Sequence, residues 1–260
     1  MRFPLVAATV VAMGWSVAAD AATVLITGSN RGIGLELARQ YADLGWNVIA
    51  TSRTPDDDID LQTLASKHGN LRIEALDVSD HDQIEALAAK LTDTPIDVLM
   101  NNAGILGGEP DVQTIGNIDF QSMEQVYKTN AIGPMKMAEA FLEHVAASDQ
   151  KKIAVITSGT ASLTNVRPSP FYKALYLYRM SKTAINMGYR ALSLEVAPQG
   201  ISVGILAPGV VETRLLQQAG YGGMGMTTED SVTGVIRNVE NLGPETSGQY
   251  ILHNGKTVPW

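Results

Sequence analysis

Short runs of β-branched and apolar residues alternate with helical patterns along most of the chain, and this alternation restricts the fold more than any other feature. Such alternation is typical of βαβ units and a parallel sheet. Several of the strand-like runs are apolar almost throughout, as strands covered on both faces are. The runs that predict strands are residues 23–27, 47–51, 71–75, 96–100, 152–157, 201–207 and 249–252. The sequence therefore predicts an α/β fold with a doubly wound parallel sheet, the Rossmann fold.

Apolar residues spaced three and four apart predict the helices that connect these strands. The predicted helices cover residues 34–44, 83–91, 120–146, 181–197 and 228–241. Three long connections, residues 107–118, 160–175 and 210–226, each follow the end of a strand, where ligands bind in open α/β sheets. The chain has 260 residues, and we expect residues 23–260 to form a single domain.

Composition excludes several classes of function. The formal net charge is −8 and the basic residues form no cluster, whereas binding to nucleic acid requires one. The chain contains no cysteine, so disulfides, thiol catalysis and cysteine-ligated metals are impossible. The four histidines lack the spacing of metal ligands, and we expect no metal site.

The first 22 residues differ from the rest of the chain. Arg2 is followed by an apolar run over residues 5–17 and then by small residues, with candidate cleavage points after Ala19 and Ala21. This pattern predicts a signal peptide, and the run is too short to span a bilayer comfortably. The alternative is an uncleaved apolar extension or a start codon placed too far upstream. We expect an exported, periplasmic protein if the segment is cleaved, a cytoplasmic one otherwise, and no stable membrane insertion of the mature domain.

A glycine-rich turn joins the first predicted strand to the first predicted helix. Glycines there allow a tight turn and a close approach of the backbone to a pyrophosphate, and the helix N-terminus supplies N–H groups. A purely structural turn is the alternative. The turn predicts a dinucleotide site formed by Gly28, Asn30, Arg31, Gly32, Ile33 and Gly34.

Ser52 and Arg53 follow the second predicted strand, where the adenosine ribose of a dinucleotide lies. An NAD enzyme has an acidic residue there that accepts from the ribose 2′-OH, and this sequence has none at that point. Arg53, with Arg31 of the glycine turn, would instead bind a 2′-phosphate. Each arginine alone could be a solvated surface residue, but the pair without an acid predicts NADP(H) rather than NAD(H).

At a spacing of four residues, Tyr178 and Lys182 share one face of a helix. A lysine ammonium near a phenol favours the phenolate, and oxidised nicotinamide adds a second positive charge. We expect both to lower the pKa of Tyr178 from about 10 towards neutral pH, as a general acid/base requires. Tyr172 and Tyr176 have no lysine four residues later, so only Tyr178 of these three fits the pattern.

These motifs resemble those of the short-chain dehydrogenases/reductases. The glycine turn is similar to their TGxxxGIG motif, residues 101–104 to their NNAG motif, and residues 208–213 to their PG motif. The resemblance implies that Asp77, followed by Val78, binds the adenine amino group, although an acid at a helix N-terminus is the alternative. It implies that Asn101 and its neighbours let the backbone approach the adenosine. The further residues that it implies for cofactor binding are Asn102, Ala103, Gly104, Pro208, Gly209, Val211, Thr213 and also Tyr178 and Lys182.

The resemblance also implies the catalytic set. Ser158, at the end of the fifth predicted strand, would hydrogen-bond the substrate carbonyl and stabilise its developing charge. Asn130 would support a water-linked proton relay through Lys182, which also holds the nicotinamide ribose. The sequence is most similar to the C-factor-like and sniffer-like carbonyl reductases, over residues 23–260.

The implied function is an NADP(H)-dependent oxidoreductase that transfers a hydride between nicotinamide and a carbonyl or alcohol. Family habit suggests a homodimer or homotetramer, and residues 217–226, rich in glycine and methionine, predict a mobile lid. We expect an apolar substrate lining from Phe171, Tyr172, Leu175, Met224 and Met226. One alternative is a non-catalytic dinucleotide-binding signalling protein, and another is a hydrolase that uses Ser158 with a distant histidine.

Overall fold

The computed structural model describes residues 21–169 and 173–260. The predicted signal peptide therefore lies almost entirely outside the described residues. A seven-stranded parallel sheet runs through the described chain, in the order β3-β2-β1-β4-β5-β6-β7. Its strands are β1 (Thr23–Ile26), β2 (Asn47–Ser52), β3 (Leu71–Ala75), β4 (Val98–Asn101), β5 (Lys152–Ile156), β6 (Ser202–Ala207) and β7 (Tyr250–Leu252). The prediction of a doubly wound α/β fold is confirmed.

Helices cover both faces of this sheet. They are α1 (Gly32–Asp43), α2 (Ile59–Lys67), α3 (His81–Lys90), α4 (Phe120–Tyr127), α5 (Gly133–Ala140), α6 (Leu142–Ala146), α7 (Tyr176–Glu195), α8 (Arg214–Gln218) and α9 (Thr228–Glu240). Val24 and Ile26 of β1 pack into one buried cluster with α1 and α9, whereas Leu25 packs into a second with α3, α5 and α7. This alternation explains why both faces of the strands are apolar.

The strand order places a crevice beside β1. The chain moves from β1 outward to β2 and β3, then returns to the other side of β1 and continues outward from β4. Connections leave in opposite directions at this point, so the carboxyl ends of β1 and β4 border an opening in which α/β proteins bind ligands. The glycine turn follows β1 and residues 102–104 follow β4, so both motifs lie at this crevice.

The region predicted as a single helix over residues 120–146 is interrupted twice. A π-helical turn at Lys128–Ile132 separates α4 from α5, and α5 ends before Phe141. Pro134 has no N–H for the regular helical bond, and the buried Asn130 side chain bonds another segment. The spacing of apolar residues, from which the single helix was predicted, contains no information on these causes of its interruption.

Helices α2 and α7 also differ from the prediction. Helix α2 was missed because it is short and buries only Leu61 among its nine residues. Helix α7 begins at Tyr176 rather than at residue 181, which places Tyr178 within the helix that carries Lys182. In the described ranges, no helix has the length and apolar character needed to cross a bilayer.

Candidate active site

A cavity of about 940 Å³ opens at the carboxyl ends of the strands. That volume fits a small-molecule or cofactor site. Every residue predicted from the sequence to bind the cofactor lines it, together with Ser158, Tyr178 and Lys182. Three of the predicted site residues that the structure describes do not line this cavity, namely Asn101, Met226 and Asn130, although Thr129 next to Asn130 does. The fold therefore brings together segments that are more than 150 residues apart in the chain.

The glycine turn has the backbone geometry that its composition predicts. Gly28 and Gly32 have φ values of +68° and +54°, which L side chains rarely adopt. A Cβ at Gly34 would lie 2.0 Å from the Gly28 carbonyl oxygen, so any side chain there would displace the turn. Arg31 is the N-cap of α1 but makes no side-chain capping bond, so its side chain leaves the first N–H groups of α1 to other partners.

Asn102 holds the turn against the end of β4. Its Nδ2 donates to the carbonyl oxygens of Thr27 and Gly28 at 2.9 and 3.0 Å. The Thr27 hydroxyl in turn accepts from the backbone N–H groups of Asn102 and Ala103. These bonds position the cofactor-facing backbone.

Asn101 does not act as predicted at the adenosine. Its side chain is buried and donates to the Tyr189 hydroxyl at 2.7 Å, towards α7. The strand alternates the direction of successive side chains, so Asn101 and Asn102 cannot both face the crevice. Asn101 therefore ties β4 to α7.

Asp77 is distinct from the cap of the following helix. Asp80 is the N-cap of α3 and accepts from Gln83 N, whereas Asp77 Oδ1 accepts from the N–H and the hydroxyl of Ser79. Asp77 and Val78 both line the cavity, beyond the end of β3. The alternative role of a helix N-terminal acid therefore belongs to Asp80.

The adenosine end contains an acid that the sequence analysis missed. Asp58 accepts hydrogen bonds from Ser52 Oγ and from Asn30 Nδ2, the second at 3.1 Å, and it lines the cavity with Arg31 and Arg53. It lies six positions after Ser52, the end of β2, beyond the position where an acid was sought. An aspartate at a helix N-cap could have drawn attention to Asp58 in the sequence. The signal was not used because helix α2 was not predicted.

The catalytic end contains a buried tyrosine and a buried lysine. Lys182 Nζ lies 5.9 Å from the centre of the Tyr178 ring and donates to the Ile156 carbonyl oxygen at 2.9 Å. Ser158 Oγ forms a hydrogen bond of 2.9 Å with the Thr160 hydroxyl, and it lies close enough to Tyr178 to affect its titration. Among the described residues, the hydrogen bonds of the Ser158 side chain involve no histidine, so nothing in them supports the hydrolase alternative.

Burial shifts the pKa values of Tyr178 and Lys182 in opposite directions. It raises the pKa of the Tyr178 phenol, and the nearby Ser158 hydroxyl lowers it by less. It also lowers the pKa of the Lys182 ammonium to about 8. The predicted lowering of the Tyr178 pKa is therefore wrong for the protein groups alone, because desolvation of the phenolate outweighs the effect of the Ser158 hydroxyl.

Asn130 is a buried connector within the π-helical turn. Its Oδ1 accepts from Ile105 N at 2.9 Å, while its Nδ2 donates to the Ile105 carbonyl and to the Ser181 hydroxyl. Both N–H bonds of the side-chain amide are used, so Asn130 holds the segment after β4 against α7. Its part in a proton relay stays a prediction.

The end of the cavity predicted to bind substrate is apolar, and residues of the predicted lid line part of it. Leu106, Leu175, Tyr178 and Ala219 form a buried cluster, against which Leu215 and Tyr221 pack. Lys173 Nζ lies 4.9 Å from the centre of the Tyr221 ring, which joins the two long loops above the cluster. Of the predicted lining residues, Leu175 and Met224 line the cavity, Met226 does not, and Phe171 and Tyr172 lie outside the described residues.

Comparisons with known proteins identify the class to which this fold and site belong. Residues 22–221 match the family model of the short chain dehydrogenases, and the chain belongs to that family. C-signal of Myxococcus xanthus is 34% identical over 179 residues, which are 68% of this chain and 100% of that protein. The 1-hydroxy-2-glutathionyl-2-methyl-3-butene dehydrogenase of Rhodococcus sp. (strain AD45) is 29% identical over 92% of this chain and 99% of that protein.

Solved structures show the same architecture. The NADPH-bound carbonyl reductase from chicken fatty liver is 33% identical and superimposes with a TM-score of 0.83, over 92% of this chain and 99% of that one. The carbonyl reductase Sniffer of D. melanogaster is 26% identical with a TM-score of 0.80, over 92% of this chain and 100% of that one. The resemblance inferred from the motifs is confirmed, and the chain is an oxidoreductase of this family.

Proposed function

We propose that this protein is an NADP(H)-dependent oxidoreductase that transfers a hydride between nicotinamide and a carbonyl or secondary alcohol. The observation that carries the proposal is that Ser158, Tyr178 and Lys182 line the same cavity as the glycine turn. Arg31 and Arg53 at its far end favour a 2′-phosphate, and similar carbonyl reductases were solved with NADPH or NADP.

The residues of this chain supply binding, orientation and a proton. NADP(H), when bound, supplies or accepts the hydride. In carbonyl reduction the Tyr178 hydroxyl donates its proton to the substrate oxygen, and its raised pKa keeps the phenol protonated at neutral pH. The Ser158 hydroxyl donates to the same oxygen as negative charge develops on it. Lys182 holds the nicotinamide ribose, and the cluster around Leu106 and Leu175 favours an apolar carbonyl compound.

Replacement of the Tyr178 hydroxyl tests this mechanism. We expect Tyr178→Phe to abolish NADPH oxidation across a panel of aldehydes, ketones and quinones, while NADPH binding measured by nicotinamide fluorescence stays largely intact. Tyr176→Phe is the matched control, because it removes a hydroxyl two residues away on the same helix, outside the cavity lining. Undiminished turnover in Tyr178→Phe would contradict the mechanism.

The same assay addresses the non-catalytic alternative. A wild-type protein that binds NADPH but never oxidises it with any member of the panel would favour a signalling or regulatory role. One relative by sequence is named C-signal, so the wild type has to be tested for this outcome. The expected result is oxidation with at least one apolar carbonyl compound.

We further propose that the protein is a homo-oligomer that uses the outer face of α7. Met180, Met187 and Leu194 repeat every seven residues on this helix and expose 44%, 70% and 66% of their surface. Exposed apolar residues in a stripe of this kind are typical of helix pairing.

Export of the chain also stays a prediction, tested by N-terminal sequencing of the protein from its host.

A further inference from the structure

Asp58 occupies a helix N-cap position without capping the helix. It precedes α2, where an aspartate side chain ordinarily accepts from the backbone N–H groups of the first turn. The Asp58 carboxylate makes no such bond. It accepts instead from Ser52 Oγ and from Asn30 Nδ2, and it lines the cavity. The short turn at Pro55–Asp57 brings the chain back to the end of β2 and makes this arrangement possible.

The bonds to Asp58 occupy donors that a 2′-phosphate would need. A serine hydroxyl has one proton, and that of Ser52 is donated to Asp58. Ser52 Oγ also accepts from Thr54 N at 3.3 Å. The Asn30 side-chain amide donates one of its two N–H groups to the same carboxylate. Attraction of the ribose 2′-phosphate of NADP is therefore left mainly to the two exposed arginines predicted at this position, Arg31 and Arg53.

Asp58 adds the opposite charge at the same place. In dinucleotide-binding folds, an acid beyond the end of β2 accepts from the ribose 2′-OH of NAD, and an arginine there accommodates the 2′-phosphate of NADP. This chain combines both features in one end of one cavity. A carboxylate attracts the hydroxyl and repels the phosphate, so its presence opposes the preference that the two arginines create.

We propose that Asp58 determines how strongly this site discriminates between NADP(H) and NAD(H). Its carboxylate accepts from the ribose 2′-OH of NAD(H) and repels the 2′-phosphate, so the protein binds both nucleotides and prefers NADP(H) less than its arginines alone would dictate. This inference rests on the proposed function, because it concerns the cofactor site of the same reaction.

Affinities of NADPH and NADH for the full chain test the proposal. Dissociation constants are measured by fluorescence titration for the wild type, Asp58→Asn, Asp58→Ala and Asp57→Asn. Asp58→Asn keeps the shape and removes the charge, so we expect NADPH to bind more tightly and NADH more weakly, with a combined change of about tenfold in their ratio. Asp57→Asn removes the same charge from the neighbouring exposed residue outside the cavity lining, and we expect the ratio to change by less than about twofold.

Salt dependence and a second variant separate charge from scaffolding. The gain in NADPH affinity of Asp58→Asn is expected to shrink at high salt, because screening weakens the repulsion. Asp58→Ala removes the carboxylate together with both of its hydrogen bonds, and the same direction of change is expected. If the variants weaken both nucleotides equally, or leave the ratio unchanged, Asp58 only supports Ser52 and Asn30 and the proposal is overturned. Failure of the wild type to bind either nucleotide would overturn the proposed function as well, so the two failures are distinguishable.

Discussion

The buried lysine of the active site lowers the stability of the protein that carries it. Lys182 is nearly inaccessible to solvent, and burial lowers its pKa to about 8 from the 10.5 of a solvated lysine. The unfolded chain therefore binds the proton more strongly than the folded chain does. The free energy of unfolding should rise with pH between about 8 and 10.5, and the full penalty is present below pH 8. Positive charge beside the Tyr178 phenol thus comes with a loss of stability.

Lys182→Met tests this cost directly. The shift corresponds to ~3 kcal/mol at pH 7, partly offset by loss of the bond to the Ile156 carbonyl, so we expect a net gain of about 1–3 kcal/mol. The gain should disappear as the pH rises through the interval in which wild-type Lys182 loses its proton. Urea unfolding at about pH 7 and pH 10 measures it. Lys256→Met, at an exposed position, is the control. Equal destabilisation of Lys182→Met at both pH values would contradict the argument.

Among the elements, the loop that contains the predicted lid, residues 217–226, is held by a few identifiable bonds. The Glu212 carboxylate accepts from Gln217 Nε2 at 3.2 Å and from Gly223 N at 2.7 Å, and these contacts lower its pKa. Met226 N donates to the Val210 carbonyl, and Glu212 N donates to the Met226 carbonyl, which closes the loop at its base. The tip of this loop therefore depends on one partly exposed side chain, that of Glu212.

Glu212→Ala should loosen the tip of the lid and leave its base in place. We expect a several-fold rise in the KM for carbonyl substrates and a much smaller change in NADPH affinity, because the backbone bridge to Met226 does not need the carboxylate. Steady-state kinetics combined with fluorescence titration separate the two effects. Glu245→Ala, an exposed glutamate far along the chain, serves as the control. A KM unchanged from the wild type would show that these bonds do not organise the substrate site.

For the whole molecule, α7 would link catalysis to assembly if the proposed oligomer forms. One side of this helix carries Tyr178, Lys182 and Tyr189 into the interior, while the opposite side exposes the stripe of Met180, Met187 and Leu194. A partner packed on the stripe would restrain the helix that positions the catalytic pair. The proposed oligomer would then stabilise the active site as well as cover apolar surface.

Met187→Glu places a charge in the centre of that stripe. We expect light scattering to give the wild type a mass of two or four chains and the variant a lower mass, because burial of an unpaired carboxylate opposes association. Ile59→Glu is matched, since Ile59 lies on α2 and exposes 73% of its surface. A single-chain mass for the wild type, or the same multimeric mass for Met187→Glu, would reject α7 as the interface.

Local patterns were sufficient for the architecture and for most of the residues that line the candidate cofactor site. Apolar periodicity located all seven strands to within a few residues, because covering a parallel sheet on both faces requires apolar runs in each strand. The glycine turn was predictable because φ values near +68° and +54° favour glycine over residues that carry a Cβ. The spacing of Tyr178 and Lys182 likewise depends only on the pitch of a helix.

Contacts between distant segments decided the rest. The interruption of the helix at residues 128–132 accompanies bonds from Asn130 to Ile105, 25 residues away in the chain. The acid at the adenosine end is there because Asp58 bonds Asn30, 28 residues away, rather than its own helix. The direction of the Tyr178 pKa shift follows from burial by several elements together. The spacing of neighbouring residues does not reveal contacts between residues far apart in the chain. It also does not reveal the desolvation that such contacts cause.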